Sequence, residues 1–220
     1  MDVFIAQFPR FLDATWLTIW MFVLVTTVST LIGATLAVLA EWAGKPVSLP
    51  LSVYSWVFRG LPELIVLLGC YLALPAIGLD LGSVGSAILG FTLVGIAFQL
   101  EIFRAGLNAV DKRILEATRA LGMSWWLTMR RVVLPQVIRI AMPAWATFLA
   151  GNVKIFAVAS AVAVTEVMAV TRQAIAVSDQ PFFLIMVAAS IYAAIASILM
   201  VLEAVLSRRF STRYGLGLRR

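Results

Sequence analysis

Five apolar runs, each long enough to cross a bilayer as a helix, organise this chain. Residues 14–40 carry no charge. Residues 46–79 are apolar except for Arg59 and Glu63, and 81–100 are again uncharged. Residues 140–171 are interrupted only by Lys154 and Glu166, and 181–202 hold no charge. A bilayer core takes about 20 residues of helix to cross. Only helices or closed barrels satisfy their backbone groups in lipid. The runs lack the period-two alternation of barrel strands. The pattern therefore predicts an all-α membrane protein with five transmembrane helices, at about 15–40, 49–77, 82–106, 140–170 and 181–206, forming one domain over 1–220.

The stretches between the runs predict the rest of the layout. Residues 2–13 read as a short external segment, an interfacial helix with Phe4, Phe8 and Phe11 on its bilayer side. Residues 41–50, with Gly44, Pro46 and Pro50, form an inner loop. The second span is interrupted at 58–63 (FRGLPE), 77–85 make a brief outer turn, and 172–180 make the outer loop before the last span. Composition agrees with a membrane class: 62% of residues are hydrophobic and 13% charged, with a mean hydropathy of +1.01. Soluble chains average about half apolar and a quarter charged.

Charge distribution sets the expected orientation. Lys45, Arg104, Lys112, Arg113, Arg119, Arg130, Arg131 and Arg139 fall on one side, with Arg208, Arg209, Arg213, Arg219 and Arg220 of the tail. Only Arg10 and Arg172 fall on the other. Basic residues stay cytoplasmic, so the N-terminus is expected outside and the C-terminus inside, as an odd number of crossings requires. The same bias accounts for the net charge of +6 without invoking nucleic acid. No cationic leader with a small-residue cleavage site is present, so no cleaved signal peptide is expected. Cys70, the single cysteine, admits no intrachain disulfide, and the absence of histidine removes the commonest metal and general-base chemistry. No metal site is expected.

Residues 108–139, between the third and fourth runs, form a basic, aromatic, helix-forming cytoplasmic loop. Asp111 is placed to cap a helix of about ten residues, which Gly122 would end as a left-handed residue. Ser124 can cap a second helix, which Pro135 and Pro143 limit. Leu115, Thr118, Ile114 and Leu121 share neighbouring faces of the first helix, while Arg113, Glu116 and Arg119 are polar. Trp125, Trp126, Met129 and Val133 continue an interfacial surface. One reading is a helical loop anchored on anionic lipid by tryptophan and arginine. The other is a docking site for a soluble partner.

The wording of this loop favours the partner. EATRALGMS (Glu116 to Ser124) followed by Leu134-Pro135-Gln136 resembles the cytoplasmic EAA loop of permease subunits of ATP-binding-cassette importers, closest to the polar amino acid and opine branch. Phe58-Arg59-Gly60-Leu61-Pro62 resembles that family's F-R-G-T-P element. Glu101 to Gly106 resembles its E-I-F-R-G-G, and Val164-Thr165-Glu166-Val167 its V-T-E-L. These elements stand in order across roughly residues 26–209.

The resemblance implies a five-helix core in the bacterial cytoplasmic (inner) membrane, paired with a second permease, identical or homologous. It implies ABC ATPase subunits as partners, and an external solute-binding protein that delivers a small polar solute. Arg113, Leu115, Glu116, Ala117, Arg119, Ala120, Leu121, Gly122, Met123 and Ser124 would be the ATPase contact. The chain shows no G-x-x-x-x-G-K-[ST] loop, so no catalytic residues and no cofactor of its own are expected; ATP-Mg would be bound by the partner.

Charged residues inside apolar runs are costly in lipid, about 2.5–3.5 kcal/mol each at the bilayer centre, and should face protein or water. Arg59, Pro62, Glu63, Glu101 and Lys154 are accordingly candidates for the solute path. A structural reading competes: Arg59 pairs with Glu63, Glu101 pairs with Arg104, and Glu166 lies at the outer interface. Here the chain departs from the family wording. Lys154 is followed by Ile155-Phe156-Ala157-Val158 where K-D-T-S-L is common, and Leu61 replaces threonine. Either this subunit contributes little to the solute contact, or the solute is less cationic than arginine or histidine, so that Lys154 faces a carboxylate as in an opine or acidic amino acid. A self-contained carrier or channel, an ABC permease for another small solute, and an intramembrane enzyme are the alternative readings. Carriers often show paired broken helices and internal repeats, and this chain shows one broken span.

Overall fold

A computed structural model describes the backbone of residues 2–212 and the side chains of residues 6–205. Eight helices follow one another: α1 Asp2–Ala43, α2 Lys45–Gly60, α3 Glu63–Ala76, α4 Gly82–Asn108, α5 Lys112–Ala120, α6 Trp125–Val162, α7 Val167–Ile175 and α8 Pro181–Thr212. Four described helices are long and apolar enough to cross a membrane, or five if α2 and α3, bent by 104°, make one broken span. No strand occurs among the described residues.

α1 and α4 form the axis of the bundle, and small residues set their separation. A Cβ on Gly33 would lie 2.6 Å from the Gln99 Cβ, and one on Gly95 would lie 2.9 Å from the Ser29 Cβ. With no side chain at the crossing, two backbones approach closely, which is how helices associate where lipid supplies no hydrophobic drive. α2 runs along α4: the Tyr54 hydroxyl donates to the Leu93 carbonyl at 2.6 Å and Ser55 to Ala97 at 3.4 Å. α3 then crosses α4 where Leu67 packs on Gly90. The main core gathers Met21, Phe22, Leu67, Phe91, Val153 and Phe156. Within it the Phe156 ring stacks on Phe91 at 4.4 Å and meets Phe22 edge-on at 5.5 Å.

Several expected boundaries shift. α1 does not begin near residue 15; it runs unbroken from Asp2 through Pro9, so there is no separate interfacial helix. Phe11, expected toward the bilayer, is 2% exposed and packs with Ala14 against Val167 and Val170 of α7 and Leu184 of α8. Phe8 remains exposed, and Phe4 lies outside the described side chains, as do Arg208, Arg209, Arg213, Arg219 and Arg220. The second span breaks where expected. Leu61 is extended (φ −83°, ψ 139°), the conformation that a residue before proline prefers.

The fourth span moves most. The helix that carries it begins at Trp125 rather than 140, so residues 125–139 are continuous with that helix rather than a separate loop. A π-helical turn over Met129–Val133 precedes Pro135, and such local widening absorbs the missing proline N–H within a continuous helix. At its other end the helix tightens to 3₁₀ over Val153–Val162 and stops at Ala163, which is left-handed with φ 59°. Residues 167–175, expected as the end of the span and the start of a loop, form the separate helix α7 against α1 and α8. Glu166, expected at the outer interface, is 1% exposed. Its carboxylate accepts from the Met168 and Ala169 amides at 2.8 and 2.9 Å and from the Tyr192 hydroxyl, so it caps α7 from inside the protein.

Candidate functional site

The segment between α4 and α6 forms a bent foot at one end of the bundle. Asp111 starts α5, its Oδ1 accepting from the Arg113 amide at 2.9 Å. Gly122 ends it with φ +70°. The Gly122 amide donates to the Arg119 carbonyl at 2.9 Å and the Met123 amide to the Thr118 carbonyl at 3.0 Å. This is the paired Schellman closure, which needs a left-handed residue at the glycine position. Ser124 then caps α6, accepting from the Leu127 amide at 3.3 Å.

The foot is seated by its own apolar face. Leu115 packs against Val110, Met129, Val133 and Val137, and Thr118 is 5% exposed. Between them and Arg119 and Met123 lies a cavity of about 150 Å³. Leu121 instead stands at the corner, 78% exposed, beside the exposed Arg113, Glu116, Ala117, Arg119, Ala120, Gly122 and Ser124. Of the residues singled out for docking, Leu115 and Met123 are half-buried against the protein, and the remainder form one free surface. A Cβ on Gly122 would meet none of the described residues within 4 Å, so among them the glycine serves the backbone angle alone.

The charges expected in the solute path do not form one cluster. Arg104 and Glu101 pair at 3.1 Å, and Arg104 also donates to the Ser52 hydroxyl at 2.9 Å and the Ser48 carbonyl at 3.0 Å. This arrangement ties α4 to α2. No ion pair joins Arg59 to Glu63 among the described residues; the Arg59 guanidinium lies 5.5 Å from the centroid of the Phe98 ring, an attractive cation–π placement. Glu63 follows the exposed Pro62 at the start of α3. It borders a small internal cavity of about 40 Å³ with Ser29, Phe98, Phe148, Asn152 and Phe156. Lys154 is exposed on α6. Asn152, two residues before it, was not singled out from sequence, although an amide inside an apolar run is itself a signal.

No group of three or more possible metal ligands occurs among the described residues. What the arrangement offers is an exposed corner at one end and charged side chains, Arg59 and Glu63, on either side of the break between α2 and α3.

Comparison with known proteins places this geometry. A family model described as "Binding-protein-dependent transport system inner membrane component" matches residues 29–212. A "Probable amino-acid ABC transporter permease protein" of Bacillus subtilis is 34% identical over 165 residues, covering 74% of this chain and 72% of that protein. A second Bacillus subtilis protein, a "Probable amino-acid permease protein", is 30% identical over 217 residues, 97% of this chain and 96% of its own. The crystal structure of an amino acid ABC transporter with histidines superposes with a TM-score of 0.85 at 28% identity, covering 93% of this chain and 96% of that one.

Proposed function

This chain belongs to the binding-protein-dependent transport system inner membrane components and is a multi-pass inner-membrane permease subunit of an ABC importer; on that premise, we propose that it forms half of a translocation path for an amino acid or related polar solute. The observation that carries the reading is the Leu121–Gly122 corner, a rigid foot whose exposed side bears Leu121, Arg119 and Glu116. The foot is the contact for the ATPase subunits that an importer of this kind works with. Those subunits bind ATP with magnesium and hydrolyse the ATP, and this chain transmits the movement. The foot and the basic side of the chain face the cytoplasm, with the N-terminus outside.

A second permease, identical or homologous, covers the exposed Arg59 and Lys154. Arg59 and Lys154 are exposed on helices that cross the membrane, where lipid contact is unfavourable by about 2.5–3.5 kcal/mol per charge at mid-depth. Protein and a water-filled path relieve that cost. The relatives named above are described as amino-acid permeases, which supports the solute class. Lys154 without a following acidic residue suits a solute carrying an additional carboxylate.

Uptake by vesicles containing the permease, its ATPase and its binding protein tests the proposal. Uptake is expected only with ATP and binding protein, and side-chain carboxylates should compete best. Flux without the ATPase would overturn the importer reading in favour of a carrier or channel.

A further inference from the structure

At the end of the bundle that carries the foot, α1, α4 and α6 enclose an apolar groove of about 660 Å³. Thr35, Leu39 and Trp42 of α1, Phe103 of α4, and Trp126 and Ile138 of α6 lie along it. No described segment of this chain covers it: Trp42 and Trp126 are each 63% exposed. The indoles gather at its outer end, with the Trp42 and Trp126 rings each 6.4 Å from the Trp125 ring. Such a group marks the level of the lipid headgroups, where amphipathic rings concentrate. Deeper in, the lining turns aliphatic.

Basic charge stands at the same level. Trp126, Arg130, Leu134 and Ile138 follow at four-residue steps, which share one helix face; three of them line the groove. Arg130 and Arg131 are exposed on the π-helical turn, and neither has an acidic partner among the described residues. Glu41, beside Trp42, borders the separate cavities under α5 and α2 instead. Phe103 faces the groove while the next residue, Arg104, faces α2. The groove therefore opens on a different side of α4 from Arg104 and its α2 contact, and its lining carries no charge.

We infer that this groove holds one acyl chain of an anionic phospholipid, with the headgroup phosphate against Arg130 and Arg131. The chain seals the seam between α1 and α6 above the foot. An apolar slot with indoles at headgroup depth and unpaired guanidiniums beside them matches that ligand in both shape and charge. A neutral lipid, or a protein segment without acidic side chains, would satisfy only the slot.

The test uses the complete transporter reconstituted in vesicles of mixed phosphatidylcholine and phosphatidylglycerol. Mild detergent extraction and native mass spectrometry then identify any retained lipid. Phosphatidylglycerol is expected to be retained. The Arg130→Gln/Arg131→Gln double variant should weaken retention about tenfold, and Ile138→Trp, which fills the slot, should abolish it. Equal retention of the neutral lipid, or undiminished retention by the double variant, overturns the inference. Should the variants fail to assemble, the wild-type protein still decides. Phosphatidylglycerol brominated on its chains should quench tryptophan emission more than brominated phosphatidylcholine, and the difference should shrink in Trp126→Phe. Equal quenching by the two lipids, or a photo-crosslink from position 138 to a partner subunit instead of lipid, rejects it.

Discussion

Gly33 of α1 and Gln99 of α4 sit so close that a Cβ on the glycine would lie 2.6 Å from the Gln99 Cβ and 2.9 Å from the Leu100 amide nitrogen. The nearer obstacle is the root of a side chain and the next is backbone, so neither can swing away. Gly33→Val must push the two helices apart. Overpacking of this kind costs about 1–3 kcal/mol. A lower thermal midpoint in detergent is expected, while the surface substitution Leu31→Val should leave it unchanged.

Gln99 is itself fully buried, and neither Oε1 nor Nε2 finds a partner among the described residues. A buried polar group without a hydrogen bond costs about 1–3 kcal/mol. Gln99→Met removes that penalty at similar volume, so it should raise the thermal midpoint. A fall would show that the amide is satisfied, for instance by a bound water, and that removing it strands that partner.

Gly122→Ala tests the foot. The position is left-handed with open space around it, so alanine meets conformational strain of about 1–2 kcal/mol and no clash. Membrane insertion and the bundle's stability should persist. ATPase co-purification and solute-stimulated hydrolysis should fall, and Gly122→Asn, which tolerates the same angle better, should fall less. Normal coupling in Gly122→Val would remove the foot from the mechanism.

Arg104 and Glu101 should respond unequally. Arg104→Ala loses the Glu101, Ser52 and Ser48 contacts together, whereas Glu101→Gln keeps the arginine's bonds to α2. Hydrogen bonds to charged groups contribute about 1.5–3 kcal/mol. Because the pair is partly exposed, with side chains at 18% and 32% accessibility, the lower end applies. Thermal unfolding should rank wild type above Glu101→Gln and Glu101→Gln above Arg104→Ala.

Glu166→Ala should loosen α7 in particular. It removes a cap that holds the Met168 and Ala169 amides, worth about 0.5–2 kcal/mol. Faster hydrogen exchange over 167–171 is expected, with the foot unaffected. Tyr192→Phe, which leaves both capping bonds in place, should accelerate exchange less.

The bent span and the foot were legible because their signals are local. Pro62 constrains Leu61 directly, and Asp111, Gly122 and Ser124 each act on backbone groups within a few residues. The starts of α1 and α6 were not legible. Pro135 and Pro143 read as helix limits when taken alone, yet α6 runs through both, with a π-turn just before Pro135, and α1 starts early where Phe11 packs against α7 and α8. Glu166 read as interfacial, and nothing near it in sequence signals the Tyr192 hydroxyl that bonds it from 26 positions away.

Sequence alone determined that this chain is an all-helical membrane protein of four or five apolar crossings with a capped basic foot, since hydrophobic length and short-range backbone chemistry need no distant partner. Tertiary structure decided which charges meet. Arg59 takes the Phe98 ring rather than Glu63, and Arg104 reaches back 52 residues to Ser52. It also decided where the helices end and which groove stays open. Those outcomes depend on how helices far apart in the chain pack side by side, and no local pattern specifies that.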